Sequence, residues 1–149
     1  MKVKISTDST CDLPREFVER YDIGVLPLYI IRDGVSLKDG IEITAQDMYE
    51  YTERTGKLCS TSAVTVADYT SAWTEWLRDA DAIVHVAFSS ELSASCNNAR
   101  IAAEEFDNVT VVDSLNLSTG FGQLVLDAAI MAQAGHTPEE IAAEVERLG

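Results

Sequence analysis

The chain has 149 residues, 46% of them hydrophobic and 24% charged, enough for one α/β domain with a real core and too few for two. Its 11 Lys and Arg stand against 25 Asp and Glu, a formal net charge of −14. That balance excludes a nucleic-acid partner, whose phosphates need a basic footprint, and argues against stable anchoring to anionic membranes.

Met1 to Thr10 lead directly into a strand-like segment without the apolar stretch of a signal peptide, and no apolar run approaches the length of a membrane span. Cys11, Cys59 and Cys96 are far apart and form no paired motif, so the expectation is free thiols in a reducing cytoplasm. No metal ligand set and no cofactor is expected.

Val3-Lys4-Ile5 predicts a short strand that ends at the polar run Ser6 to Thr10. Pro14 suits the first turn of a helix with Phe17, Val18 and Tyr21 on one face. Ile23 to Ile31 reads as a second apolar strand, with Pro27 marking an edge or a bulge. Asp33-Gly34 and Asp39-Gly40 make residues 32–43 a hairpin-like excursion. Thr44 opens a helix through about Glu53, with Asp47 completing a capping box and Gly56 ending it. Thr65 caps the next helix, with Tyr69, Trp73, Trp76 and Leu77 at helical spacing.

Ala82 to Phe88 reads as a buried central strand. A helix follows, with Leu92, Cys96, Ala99, Ala103 and Phe106 on one stripe, and then a strand from Val109 to Val112. Ser118-Thr119-Gly120 leads into a helix through Leu124, Val125, Ala128 and Met131. Thr137-Pro138-Glu139-Glu140 opens the last helix, with Ile141, Val145 and Leu148 on its apolar face. This order predicts a three-layer α/β/α domain with a mostly parallel open sheet.

Small polar residues cluster after three strands: Ser6 to Thr10, Ser89-Ser90 with Ser93, and Asp113-Ser114 with Ser118-Thr119. A fourth cluster, Ser60-Thr61-Ser62, reads as a loop before a helix. Ligands of open α/β sheets bind beyond the carboxyl ends of the strands, where helix N-termini supply N–H donors and positive potential. Hydroxyls beside such donors suit an anionic head group, although each cluster alone would serve as an ordinary helix cap. No P-loop, GxGxxG, HExxH or GxSxG motif is present, so no catalytic residue is assigned.

Thr7-Asp8-Ser9-Thr10-Cys11-Asp12-Leu13-Pro14 resembles the opening segment of the DegV family of fatty-acid-binding proteins. Val25-Leu26-Pro27-Leu28, Asp39-Gly40 with Ile43, and Thr61-Ser62 follow in that family's order. Ser89-Ser90-Glu91-Leu92-Ser93 is similar to its SSxLS segment, Val112-Asp113-Ser114 with Gly120 and Gly122 to its VDS segment, and Gly135 to Ile141 to a helix opening. The resemblance implies a lipid carrier, similar to the binding subunit of a bacterial fatty-acid kinase, which presents the carboxylate to an ATP-using catalytic partner. It places the fatty-acid carboxylate on Thr61, Ser62 and Ser93. Members of that family are about twice this size and carry a second α/β domain. Residues 1–149 therefore read as an N-terminal lipid-binding domain, and a dimer of the isolated domain is an expected way to cover exposed apolar surface. Where the family has Ser-Gly-Thr and then an aromatic residue, this chain has Ser93-Ala94-Ser95 and Cys96, and Ala63-Val64 replaces the usual Gln-Pro.

A rival reading from another class is a Mg²⁺-dependent phosphotransfer or phosphatase domain using Asp8, Asp12 and Asp113. Lys and Arg to hold a phosphate are sparse around those motifs. A third reading is an interaction domain whose serine clusters are only caps.

Overall fold

The computed structural model describes residues 2–8, 15–27, 29–32, 34–38, 45–57, 60–62, 64–87, 94–113 and 120–148. Apolar segments of strand length alternate with amphipathic helices, and the elements run β1 (Val3–Asp8), α1 (Arg15–Arg20), β2 (Gly24–Leu26), β3 (Tyr29–Arg32) and β4 (Val35–Lys38). Then come α2 (Ala45–Thr55), β5 (Ser60–Ser62), α3 (Val66–Trp76), β6 (Ala82–Ala87), α4 (Ala94–Ala103), β7 (Val109–Asp113), α5 (Gly120–Gln133) and α6 (Pro138–Leu148).

Four strands form one sheet in the order β2-β1-β6-β7, and every neighbouring pair is parallel. Parallel strands need helical crossovers, which cover both faces and put a layer of helices on either side. Period-2 alternation divides β1 and β6 between two cores. Val3, Ile5, Ala82, Val84 and Val86 face α5 and α6, where Val125, Ala128, Ile141 and Val145 are buried against them. Val18 and Tyr21 near α1 pack on the same core. Ile83 faces the other way, against Tyr69 and Trp73 of α3 and Ala99 and Ala102 of α4. The three-layer α/β/α expectation therefore holds.

The expected second strand is two. Pro27 lacks an N–H and leaves the ladder, so Gly24–Leu26 stays at the edge of the parallel sheet while Tyr29–Arg32 turns into a second, antiparallel sheet of order β4-β3-β5. Of the expected 32–43 excursion, the described part supplies β4 of a β3–β4 hairpin, in which Arg32 pairs with Val35 around Gly34, whose φ of 79° favours glycine. Gly24 serves a different need. A Cβ there would lie 2.7 to 2.9 Å from three ring atoms of Trp76, so only glycine lets the indole close on the sheet edge.

The expected cap at Thr65 forms. The Thr65 side chain accepts from the Asp68 N–H while Asp68 accepts from the Thr65 N–H, a capping box. Thr137 and Glu140 exchange the same two bonds at the start of α6. Thr44, expected to cap α2, lies outside the described residues. Cys96 is buried and in no disulfide among the described residues, and no helix among them is long and apolar enough to cross a membrane.

Candidate functional site

Because all four strands of the main sheet are parallel, their carboxyl ends share one edge. The register aligns Asp8 with Leu26 and Ala87 with Asp113, the last residues of β1, β2, β6 and β7. The polar clusters beyond β6 and β7, with Ser93 among them, and Asp12 lie outside the described residues.

β1 does not end at Ile5 as its polar continuation suggested. It runs on through Ser6, Thr7 and Asp8, all buried, because each side chain finds a partner inside the fold. Thr7 Oγ1 donates to the Val86 carbonyl at 2.9 Å. Ser6 and Asp8, two residues apart, face α3 together with His85 of β6. Trp73 Nε1–H, which can only donate, reaches Ser6 Oγ at 3.4 Å, and Ser6 Oγ lies 2.7 Å from His85 Nδ1. With Nδ1 taken as accepting from the serine hydroxyl, the ring proton is assigned to Nε2. That nitrogen faces Asp8 Oδ1 at 3.5 Å, an electrostatic contact too long for a hydrogen bond, and it has no hydrogen-bond partner among the described residues. The opposite tautomer would turn a lone pair on the carboxyl group. Tyr69 O–H donates to the same Oδ1 at 2.8 Å.

The set Ser6, His85 and Asp8 has the composition of a catalytic triad but not its exposure. Ser6 and His85 are 0% and Asp8 1% exposed, so Ser6 has no solvent face from which to meet a substrate. The set is a hydrogen-bonded support beneath the sheet edge. The same burial bears on the rival metal reading, because Asp8 already holds Tyr69. Among the described residues no group of three His, Cys, Asp or Glu is placed to hold a metal ion.

Thr61 and Ser62 correct another expectation. They lie on β5, not in a loop, with Thr61 opposite Ile30 and Ser62 opposite Tyr29 in the antiparallel ladder. The cap of α3 is Thr65, so neither Thr61 nor Ser62 caps that helix. Two bonds fix the surroundings of this strand. Tyr29 O–H donates to Asp68 Oδ1 at 3.1 Å, while Asp68 Oδ2 serves the capping box. Asn98 Nδ2 of α4 donates to the Val64 carbonyl, two residues past Ser62, at 2.9 Å. Ser93 is the residue immediately before α4. The chain just past β5 is thus tied to α4.

A cleft of about 360 Å³ opens beside β2 and β3, lined by Leu26, Pro27, Tyr29, Lys38, Ala72 and Trp76 among others. Leu26 borders this cleft, and Ile30 is core.

A parallel sheet between two layers of helices, with a small antiparallel sheet beside it, defines an α/β domain. The comparisons narrow that class. The sequence profile of the family described as "Uncharacterised protein, DegV family" matches residues 2–148, and the chain belongs to that family. A DegV domain-containing protein of Clostridium perfringens is 34% identical over 146 residues, which are 97% of this chain and 52% of that protein. A solved DegV family protein of Thermus thermophilus, described as fatty acid binding, superposes with a TM-score of 0.90 at 34% identity, over 99% of this chain and 53% of the other. A stearic-acid-binding protein of Eubacterium ventriosum gives 0.85 at 27% identity, over 97% and 52%. The chain spans about half the length of the relatives it matches.

Proposed function

We propose that this chain binds a long-chain fatty acid, holds its carboxylate with Thr61, Ser62 and Ser93, and presents it to an ATP-using fatty-acid kinase without chemistry of its own. On this reading residues 1–149 form the N-terminal lipid-binding domain of a carrier. The observation that carries the reading is the 0.90 superposition on a fatty-acid-binding protein over 99% of the chain.

The physical requirements agree with it. A fatty-acid carboxyl group titrates near a glutamate side chain and is ionised at neutral pH. Burying that charge requires donors, since an unpaired buried carboxylate is very costly. Hydroxyl groups supply them without a fixed cation, in a chain of formal charge −14 that otherwise repels anions. The tail supplies affinity at ~0.8 kcal/mol per buried CH₂, on the order of 10 kcal/mol gross for about fifteen methylenes.

Native mass spectrometry of protein purified from cells tests the class of ligand, and a co-purified fatty acid is expected. Thr61→Ala and Ser93→Ala should each weaken palmitate binding about ten- to a hundredfold, the effect of one donor to a charged acceptor. Hexadecanol, which buries the same methylenes, should lose far less, and Ser95→Ala should cost palmitate less than either variant. Equal losses for acid and alcohol would move the head-group site elsewhere. Turnover of a phosphate ester lost on Asp8→Ala would replace the carrier reading with the enzymatic one.

A further inference from the structure

We infer that the cleft between α3 and the β2–β3 corner is a second binding site, one that takes a planar aromatic carboxylate. The inference stands apart from the fatty-acid reading, because none of the cleft residues belongs to the proposed head-group segments.

The cleft follows from three features of the chain. Pro27 turns β3 out of the parallel sheet, which leaves a gap between the sheet edge and α3. Gly24 lets the Trp76 indole close on that edge, and Lys4 Nζ lies 5.3 Å from the centre of the ring. The indole is therefore held in place before a ligand arrives, which lowers the cost of binding against it. Asp68, Ala72 and Trp76, spaced four residues apart, line the cleft from one side of α3 over about 12 Å of helix axis. The smallest side chain stands in the middle of that row and leaves the volume of about 360 Å³ open.

The lining sets the class of ligand. Trp76, Tyr29 and Pro27 contribute flat side chains, and aromatic surface favours an aromatic partner, stacked or edge-on. A volume near the small end for ligand sites suits a fused pair of rings better than a long acyl chain. Charge completes the match. Asp68 gives one oxygen to the Tyr29 hydroxyl at 3.1 Å and the other to the Thr65 N–H at 3.2 Å, so its charge is committed to the fold. Lys38 stands opposite Tyr29 in the β3–β4 ladder and lines the cleft beside it. An ammonium group carries three N–H donors, so Lys38 can serve the fold and an incoming carboxylate together.

Naphthoate is the probe, titrated into the wild-type chain and followed by nitrogen–proton correlation spectra, in which each indole N–H reports separately. The Trp76 signal should move saturably. That of Trp73, whose N–H reaches Ser6 in the core, should stay. Ala72→Met, which fills the cleft, should weaken naphthoate binding by about tenfold or more. Lys38→Gln should weaken it about three- to tenfold, while uncharged naphthylmethanol stays within about twofold, and Lys38→Arg should restore the acid. Thermal melts establish that each variant is folded, and Lys38, exposed on β4, is a substitution outside the core. A Trp76 signal that does not move in the wild type overturns the inference. So do full naphthoate affinity in folded Ala72→Met and equal losses of acid and alcohol in Lys38→Gln. Saturating palmitate should leave naphthoate affinity unchanged, and competition between the two would reduce two sites to one and overturn the inference. Failure of palmitate to bind would sink the fatty-acid reading alone.

Discussion

The two faces of the parallel sheet are built on different chemistry. Towards α5 and α6 the strands present Val3, Ile5, Ala82, Val84 and Val86, and the buried partners on those helices are aliphatic, Ile141 and Val145 among them. Towards α3 the same two strands present Ser6, Asp8 and His85 beside Ile83, and the partners are Tyr69 and Trp73. The rings of Tyr69, Trp73 and His85 meet at centroid separations of 5.1 to 5.6 Å, two of the three contacts edge-on. An aliphatic face is held by burial, which is non-directional and tolerates exchange of similar volumes. A face laced by hydrogen bonds accepts one arrangement of its groups, and this one lies beneath the carboxyl edge of the sheet.

The largest effect that would test this contrast is on the aliphatic face. Ile141→Ala should cost about 2–5 kcal/mol of stability, and Ile141→Val only about 0.5–1.5, since the loss follows the methylenes and the cavity left behind. Denaturant melts measure both. Next comes Tyr69→Phe, which keeps the ring but strips Asp8 Oδ1 of its hydrogen bond, at about 1–3 kcal/mol. Asp8→Ala should cost a similar amount, and the double variant less than the sum by roughly 0.5 kcal/mol or more. Additive losses in that cycle would mean that the polar face is ordinary packing.

Gly24→Ala probes the α3 face at the sheet edge, where the added Cβ meets Trp76. Displacing the indole should cost about 1–3 kcal/mol, and a shift in tryptophan fluorescence should accompany it. The smallest effect lies on α6, remote from the polar face. The Glu140 carboxyl is held below its usual value, first by the Thr137 N–H, then by the Thr137 hydroxyl and His136. A lowered folded-state value stabilises above the usual carboxylate range, and the gain is lost as pH falls through the lowered one. Glu140→Gln keeps the hydrogen-bond acceptor but not the charge. Its melting temperature should lie slightly below that of the wild type at neutral pH and meet it in acid.

Much of the fold was legible in the sequence, because long apolar runs and caps carry their own signal. Ala82 to Val86 could be little but a central strand, and Thr65 and Thr137 announced their helices. What escaped was decided by partners far along the chain. Ser6-Thr7-Asp8 has turn-like chemistry, and only Trp73, Val86 and Tyr69 convert it into buried strand. Ser60-Thr61-Ser62 is equally loop-like until β3 lies beside it. The alternation of Ser6 and Asp8 with apolar neighbours was a usable clue, since period 2 sends both to one face, and His85 in an otherwise apolar strand was its counterpart. Asn98 offered none, because its role depends on where the Val64 carbonyl ends up.

The three-residue β2 has a consequence for behaviour at high concentration. Among the described residues it is an edge strand, bonded to β1 on one side, and the chain leaves it at Pro27. A neighbouring molecule seeking to extend the sheet there would find few open amides, then a residue that has none to offer. Combined with a formal charge of −14, which keeps copies apart, this blunt margin favours a colloidally stable protein over one that grows into cross-β ribbons through that edge.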